Sequence, residues 1–258
     1  DNLRASDIKK ATHAIIASPP KYHFTNFIQL RKAEFGGRLL IEKPVFVSVS
    51  EFLATDKVMS GYVLRHAHFW KSLKAALHEQ VVRKISIQLE TNQDFGLSSG
   101  SWRIEDTFPG QSLISEFGSH CINLLIDLAP IETLSISVKE FNKVILTNND
   151  NVNCTIELLA KSPNVRKSVY TILVETDVAR FRTDFYSLEV LSFQNKEMVF
   201  ESLASAGVNA RAYLRGVEFS AQMEIFMGSS LLDSKDITDA VATDVILKKL
   251  EEDRSFQK

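Results

Sequence analysis

The chain reads as an α/β protein. It carries a doubly wound parallel sheet, then an α+β region built on a large, mostly antiparallel open sheet. Three observations predict this. Short apolar runs at 12–18 and 38–42 suit strands buried on both faces. Helix-spaced segments separate them and a third run, giving a β-α-β-α-β order. From about residue 130, strand-like runs then follow one another without helices, which argues antiparallel pairing.

Each element has its own signal. Pro19-Pro20 ends the first run. Residues 22–33 put Phe24, Phe27 and Ile28 on one helical face, and Gly36-Gly37 is expected to stop that helix. A second strand covers 38–42. A helix over 50–59 opens on Ser50 as its cap. A strand at 61–68, a helix at 69–79 and a cleanly alternating strand at 82–89 follow. A polar stretch at 91–110, with Gly96, Gly100, Pro109 and Gly110, leads into a helix over 111–128. Strands are expected at 133–141, 152–160, 167–175, 178–185 and 188–193. Asn148-Asn149-Asp150-Asn151 and Thr183-Asp184 suit turns between them. Helices at 210–227 and 236–252 close the chain, the second capped by Asp236 or Thr238. No repeat or low-complexity linker is present.

Composition bounds the partners. At 258 residues the chain holds one large domain or two small ones. Apolar content of 45% and charged content of 24% are ordinary for a soluble globular protein. A net charge of -2 gives no reason to expect nucleic acid or anionic membrane as a partner. No apolar run is long enough to span a bilayer. Cys121 and Cys154 lie far apart in apolar contexts and read as buried free thiols, which fits a cytoplasmic location.

Two segments can carry chemistry. Lys43, in Glu42-Lys43-Pro44, falls just past the carboxyl end of a predicted parallel strand, outside which ligands of doubly wound sheets bind. Pro44 biases Lys43 toward an extended backbone that aims its side chain out of the sheet end. On the helix at 111–128, Glu116, His120, Asn123 and Asp127 fall within an arc of about 60°. Leu113, Phe117, Cys121, Leu124 and Leu128 fill the neighbouring arc. A merely solvated polar face would mix in basic side chains, and this one holds none. His66 and His68 would share one face of a strand and make a weak candidate metal pair. His13 reads as a core residue. Trp102-Arg103 stands in the polar stretch, where the guanidinium suits a carboxylate or phosphate, or a local pair with Glu105 or Asp106.

In order along the chain, Ala17-Ser-Pro-Pro-x-x-His23, Glu42-Lys43-Pro44, Tyr62-x-x-Arg65 and Gly110-Gln-Ser-Leu-Ile-Ser-Glu116-Phe-Gly-Ser-His120-x-x-Asn123 resemble signature segments of one family. It is the glucose–fructose oxidoreductase / inositol dehydrogenase (Gfo/Idh/MocA-type) family of nicotinamide-dependent enzymes. The resemblance implies a remnant of a nucleotide-binding Rossmann domain over 1–66 and an α+β substrate and oligomerisation domain over 67–258. It implies Lys43, His120 and Glu116 as catalytic residues, with His120 the acid/base and Lys43 touching nicotinamide ribose and substrate. Ser18, Pro19, Pro20, His23, Glu42 and Lys43 would bind NAD or NADP. Arg65, Trp102, Arg103 and Asn123 would bind a sugar, nucleotide sugar or polyol. Glu116 stands where the family has Asp, Asn123 replaces a frequent Asp, and Gln111-Ser112 replace two glycines. The family opens with a Gly-x-Gly-x-x-Gly turn that holds the pyrophosphate. No such turn occurs here, so the chain is expected to start about sixty residues late relative to the family.

Three functional expectations follow. The first is hydride transfer between nicotinamide and a sugar-like hydroxyl, by this chain once the missing part is supplied. The second is a non-catalytic sugar- or nucleotide-sensing or scaffold protein on the same fold. The third, which the family's use of its open sheet implies, is a homodimer or homotetramer formed through that sheet. Large apolar groups on both faces of 169–174 would support it.

Overall fold

The computed structural model describes residues 5–45, 57–90, 118–129, 135–140, 143–147, 152–159, 169–184, 187–192, 198–202, 210–228 and 231–252. Among them are two sheets. The first has three parallel strands in the order β1 (His13–Ile16), β2 (Arg38–Ile41) and β3 (Val58–Ser60). α1 (Ala5–Lys10) precedes β1, and α2 (His23–Lys32) connects β1 to β2.

β2 is the central strand and its side chains alternate between two cores. Leu39 and Ile41 face Ile16, Phe27, Phe35, Val58 and Tyr62. Leu40 packs with Met59, Phe226 and Leu232 on the other side. A strand covered on both faces needs an unbroken apolar run, and Leu39-Leu40-Ile41 supplies it. The helix before it ends differently from expectation. Glu34, at φ 56, is the left-handed residue past α2, and Phe35 N–H closes back on the Leu30 carbonyl at 3.0 Å. Gly37 has another task. A Cβ there would lie 2.3 Å from the Thr12 carbonyl oxygen, where the start of β2 runs beside the residue before β1.

The second sheet has eight strands in the order β11-β10-β9-β8-β4-β7-β6-β5. They are β4 (Val82–Glu90), β5 (Ser135–Glu140), β6 (Lys143–Thr147), β7 (Asn153–Leu159), β8 (Val169–Thr176), β9 (Ala179–Thr183), β10 (Ser187–Ser192) and β11 (Met198–Ser202). All neighbours are antiparallel except β4 and β7. The fold class expected from the sequence is the one observed.

One face of this sheet is dry: Ile85, Ile87, Leu89, Cys154, Ile156, Leu158, Tyr170, Ile172, Val174 and Phe181 are buried on it. Three helices cover that face: α3 (His68–Ala76) with Phe69, Trp70 and Leu73; α4 (Ser119–Leu128) with Cys121, Ile122, Leu124 and Leu125; and the end of α6 (Ser234–Glu252) with Ile246, Leu247 and Leu250. The opposite face carries Ser86, Gln88, Glu90, Thr171, Leu173 and Glu175, all half-buried, with Arg180 and Arg182 exposed. Of the apolar groups expected on both faces of 169–174, the open face holds Val169 and Leu173 beside Thr171.

α6 joins the two sheets. Its first half gives Ile237, Ala240 and Val241 to the small core, and its second half packs on the large sheet. α5 (Ala210–Met227) also returns to the small sheet through Phe226. The two helices cap the free edge of β3: Gln222 Nε2 donates to the Ser60 carbonyl at 2.9 Å, and Ser60 N–H donates to Asp236 Oδ2 at 2.7 Å.

Two expectations near the junction are corrected. The third parallel strand is Val58–Ser60, where the sequence pattern suggested the end of a helix. The apolar run after Gly61 is a 3-10 turn, Val63–His66, that feeds α3. Val63 and Leu64 of this turn are buried, so apolarity there did not mean strand. β6 and β11 are strands that the sequence pattern did not separate out.

Candidate active site

The site begins at the carboxyl end of β2. Glu42 N–H continues the ladder to the Ile16 carbonyl at 2.9 Å, and Gly61 N–H reaches the Ile41 carbonyl at 2.7 Å. Lys43 follows immediately, beyond the last ladder bond. A Cβ on Gly61 would stand 2.8 Å from Glu42 Cα and from Glu42 Oε2. Glycine at 61 therefore lets the Glu42 carboxylate lie flat against the turn after β3. Burial pushes the Glu42 carboxyl up, while the Lys43 backbone N–H and the charges of Lys43 and His23 pull it down; burial wins.

His120 comes from the first turn of α4. Its ring is half-buried, with Nδ1 wholly shielded and without a hydrogen-bond partner among the described residues. The Tyr62 ring meets it edge-on, centroids 5.8 Å apart at 87°. Burial, and after it the Lys43 ammonium, hold the imidazolium form of His120 well below its usual range. Two conclusions follow. The imidazole is neutral at neutral pH, and the Lys43 charge is near enough to be felt by it. The lysine that closes an early strand and the histidine of a much later helix thus share one region. Tyr62 itself is fully buried and aims its hydroxyl at Asp244 Oδ1, 3.5 Å away. Burial and then the Asp244 carboxylate push the phenol well above its ordinary range, so it stays neutral.

The turn after β1 lies beside this end of the sheet. Ser18 Oγ accepts from Asn26 Nδ2 at 2.8 Å, and Pro19 and Pro20 open a short 3-10 turn. His23, expected to touch a cofactor, is buried, and both of its ring nitrogens lie within hydrogen-bond distance of backbone carbonyls.

Arg65 and Asn123, read from the sequence as substrate contacts, are paired with each other. Arg65 Nε donates to Asn123 Oδ1 at 2.6 Å and Nη2 to the Asn123 carbonyl at 2.9 Å. The same guanidinium meets Asp239 Oδ2 at 2.9 Å and Asp236 Oδ1 at 3.9 Å. Asn123 Nδ2 donates to Thr243 Oγ1 at 3.0 Å. One turn on, Asp127 accepts from Trp70 Nε1 at 2.7 Å and pairs with Lys74 and Lys235. Burial alone would raise the Asp127 carboxyl, but Arg65, the Trp70 bond and Lys74 together hold it below its ordinary range. The polar arc of α4 is thus spent residue by residue: His120 near Lys43, Asn123 on Arg65, Asp127 on α3 and α6.

Glu116, Trp102 and Arg103 lie outside the described residues. His66 closes the 3-10 turn and His68 opens α3, so the two do not alternate on a strand as expected. Among the described residues no group of three or more His, Cys, Asp or Glu is placed to hold a metal ion. Cys121 and Cys154 are free and buried; burial pushes the Cys121 thiol far up and that of Cys154 to about 12. Sequence reasoning missed Asn26, Asp244 and Thr243 as supports. Each acts across a tertiary contact for which local spacing gives no signal.

Solved structures with a similar fold are known. The dehydrogenase MviM from Clostridium difficile superposes with a TM-score of 0.71 at 16% identity, covering 96% of this chain and 82% of that one. An oxidoreductase domain protein from Kribbella flavida gives 0.72 at 14% identity, covering 99% and 82%. Levoglucosan dehydrogenase, solved with NADH and levoglucosan, gives 0.64 at 14% identity, covering 94% and 79%. At these identities the likeness establishes the fold, an α/β arrangement shared with Rossmann-type oxidoreductases. No protein-family model matches the chain. No curated protein matches it either. No helix among the described residues is long and apolar enough to cross a membrane.

Proposed function

We propose that the chain carries the lysine–histidine part of a nicotinamide-dependent oxidoreductase site acting on a hydroxyl of a sugar, nucleotide sugar or polyol. The observation that supports this best is the neutral imidazole of His120 within the field of the Lys43 ammonium, at the carboxyl end of parallel strands. Solved neighbours that include levoglucosan dehydrogenase with NADH, and a UDP-N-acetylglucosamine 3-dehydrogenase from Acidithiobacillus ferrooxidans at a TM-score of 0.62, add support for the cofactor and substrate class.

The residues present fit the nicotinamide end of such a cofactor. The shielded Nδ1 of His120, unpartnered among the described residues, and the Lys43 cation suit a polar reacting centre. The Gly-x-Gly-x-x-Gly cradle for a pyrophosphate does not occur in this sequence. A nicotinamide held by Lys43 and the turn at Ser18 to Pro20 would supply the acceptor for a hydride from the carbinol carbon. Neutral His120 takes the hydroxyl proton, a task for which its lowered basicity keeps it unprotonated and ready. Lys43 steadies the negative charge that gathers on the oxygen, and burial strengthens that interaction. Glu116, four residues before His120 in the sequence, is assigned the orienting role. Arg65 and Asn123 are assigned to holding α4 against α6 rather than to touching the sugar.

Titration of the intact protein with NADH and NADPH, read by nicotinamide fluorescence, tests the proposal. A saturable signal that Lys43→Met weakens at least tenfold supports it. A dinucleotide that binds equally well without Lys43 contradicts it.

A further inference from the structure

The buried ring of His23 lies between two turns. Its Nε2 stands 2.7 Å from the Ser18 carbonyl oxygen and its Nδ1 2.8 Å from the Pro44 carbonyl oxygen. Carbonyl oxygens only accept, and a neutral imidazole carries a single N–H. In either neutral tautomer one of the two contacts would set lone pair against lone pair, in a site only 1% exposed to water. The imidazolium carries two N–H groups and satisfies both carbonyls at once. A counter-charge is at hand, because the Glu42 carboxylate at the end of β2 lies close enough to feel the charge of His23. Lys43, the other charged group in this corner, acts on the same carboxylate and lies on its other side in sequence.

The two carbonyls belong to the turns that follow β1 and β2. Ser18 starts the first, and its hydroxyl is held again by Asn26 from the same helix as His23. Pro44 is peptide-bonded to Lys43. We propose that His23 is a positioning residue: a doubly protonated imidazolium that clamps the turn after β1 to the Lys43–Pro44 turn and thereby fixes Lys43 beside His120. This rests on reading Lys43 and His120 as one site. It assigns His23 a task that leaves neither ring nitrogen free for a cofactor.

Histidine ring nitrogens of the full-length protein, labelled with ¹⁵N, test this near neutral pH. Contacts to the Ser18 and Pro44 protons identify the His23 ring. The clamp predicts that both nitrogens carry slowly exchanging protons. A single protonated nitrogen on that ring overturns it. In His23→Gln the clamp predicts that the His120 titration midpoint moves up, because Lys43 is no longer held beside it. A folded His23→Gln protein with an unmoved His120 midpoint overturns the positioning role. The ring-nitrogen measurement uses the unsubstituted protein and needs no variant to fold. Neither readout requires nicotinamide to bind, so failure here is separable from failure of the oxidoreductase reading.

Discussion

The ring of Tyr62 meets that of His120 edge-on, with centroids 5.8 Å apart and planes at 87°. Tyr62 follows Gly61 at the end of the parallel sheet, so this contact ties the helix that carries His120 to the strands that carry Lys43. Tyr62→Ala is expected to cost about 3 kcal/mol or more in stability, the usual scale for truncating a buried aromatic. Tyr62→Phe keeps the ring and removes only the bond to Asp244, for a loss of about 1 kcal/mol. Urea unfolding of both variants checks the difference; equal losses would place the weight on the hydroxyl.

Arg65 and Asn123 offer a sharper contrast. Asn123 is 1% exposed and holds the guanidinium through its side chain and its carbonyl. Asn123→Leu removes the side-chain acceptor while keeping the bulk. It is expected to lower stability by about 2 kcal/mol, the scale of a hydrogen bond to a charged group. A variant with unchanged urea midpoint but raised KM would mean that Asn123 contacts substrate instead.

Acid should destabilise the fold early. Unfolded, an imidazole takes its proton near 6.5, whereas in the fold burial first, then Lys71 and Arg65, lower His66 to about 4. His120 is lowered likewise. Between those two values the unfolded chain binds more protons than the native one, so stability falls as pH falls. Each histidine adds a slope of about 1.4 kcal/mol per pH unit inside its window. Glu42 and Asp236, whose carboxyls burial raises, act in the opposite sense at the low end, because the native state then holds the extra proton. Urea midpoints at pH 7 and pH 5 check this, with a flatter response expected from His66→Phe. Identical midpoints at the two pH values would show that these imidazoles are not buried neutral.

Much of this was legible in the sequence. Leu39-Leu40-Ile41 declared a strand covered on both faces, and the strict alternation in 82–89 declared one with a single dry face. Glu42-Lys43 and His120 were picked out by the strand end and by the helical arc. What local pattern missed was set by tertiary packing. Tyr62, Val63 and Leu64 are apolar and buried, yet Val63–His66 is a 3-10 turn rather than a strand. The α2 helix stops on left-handed Glu34 ahead of the two glycines. Asn123 and Arg65 found each other across 58 positions, which no spacing rule anticipates.

The Lys43 ammonium lies close enough to the His120 imidazole to disfavour its protonation. The His120 titration midpoint in Lys43→Met, followed by ¹⁵N-histidine NMR on the full chain, measures this directly. Loss of the lysine charge is predicted to move the midpoint upward, toward but not reaching 6.5, since burial remains the larger cause. An unmoved midpoint in a folded variant would contradict the shared site.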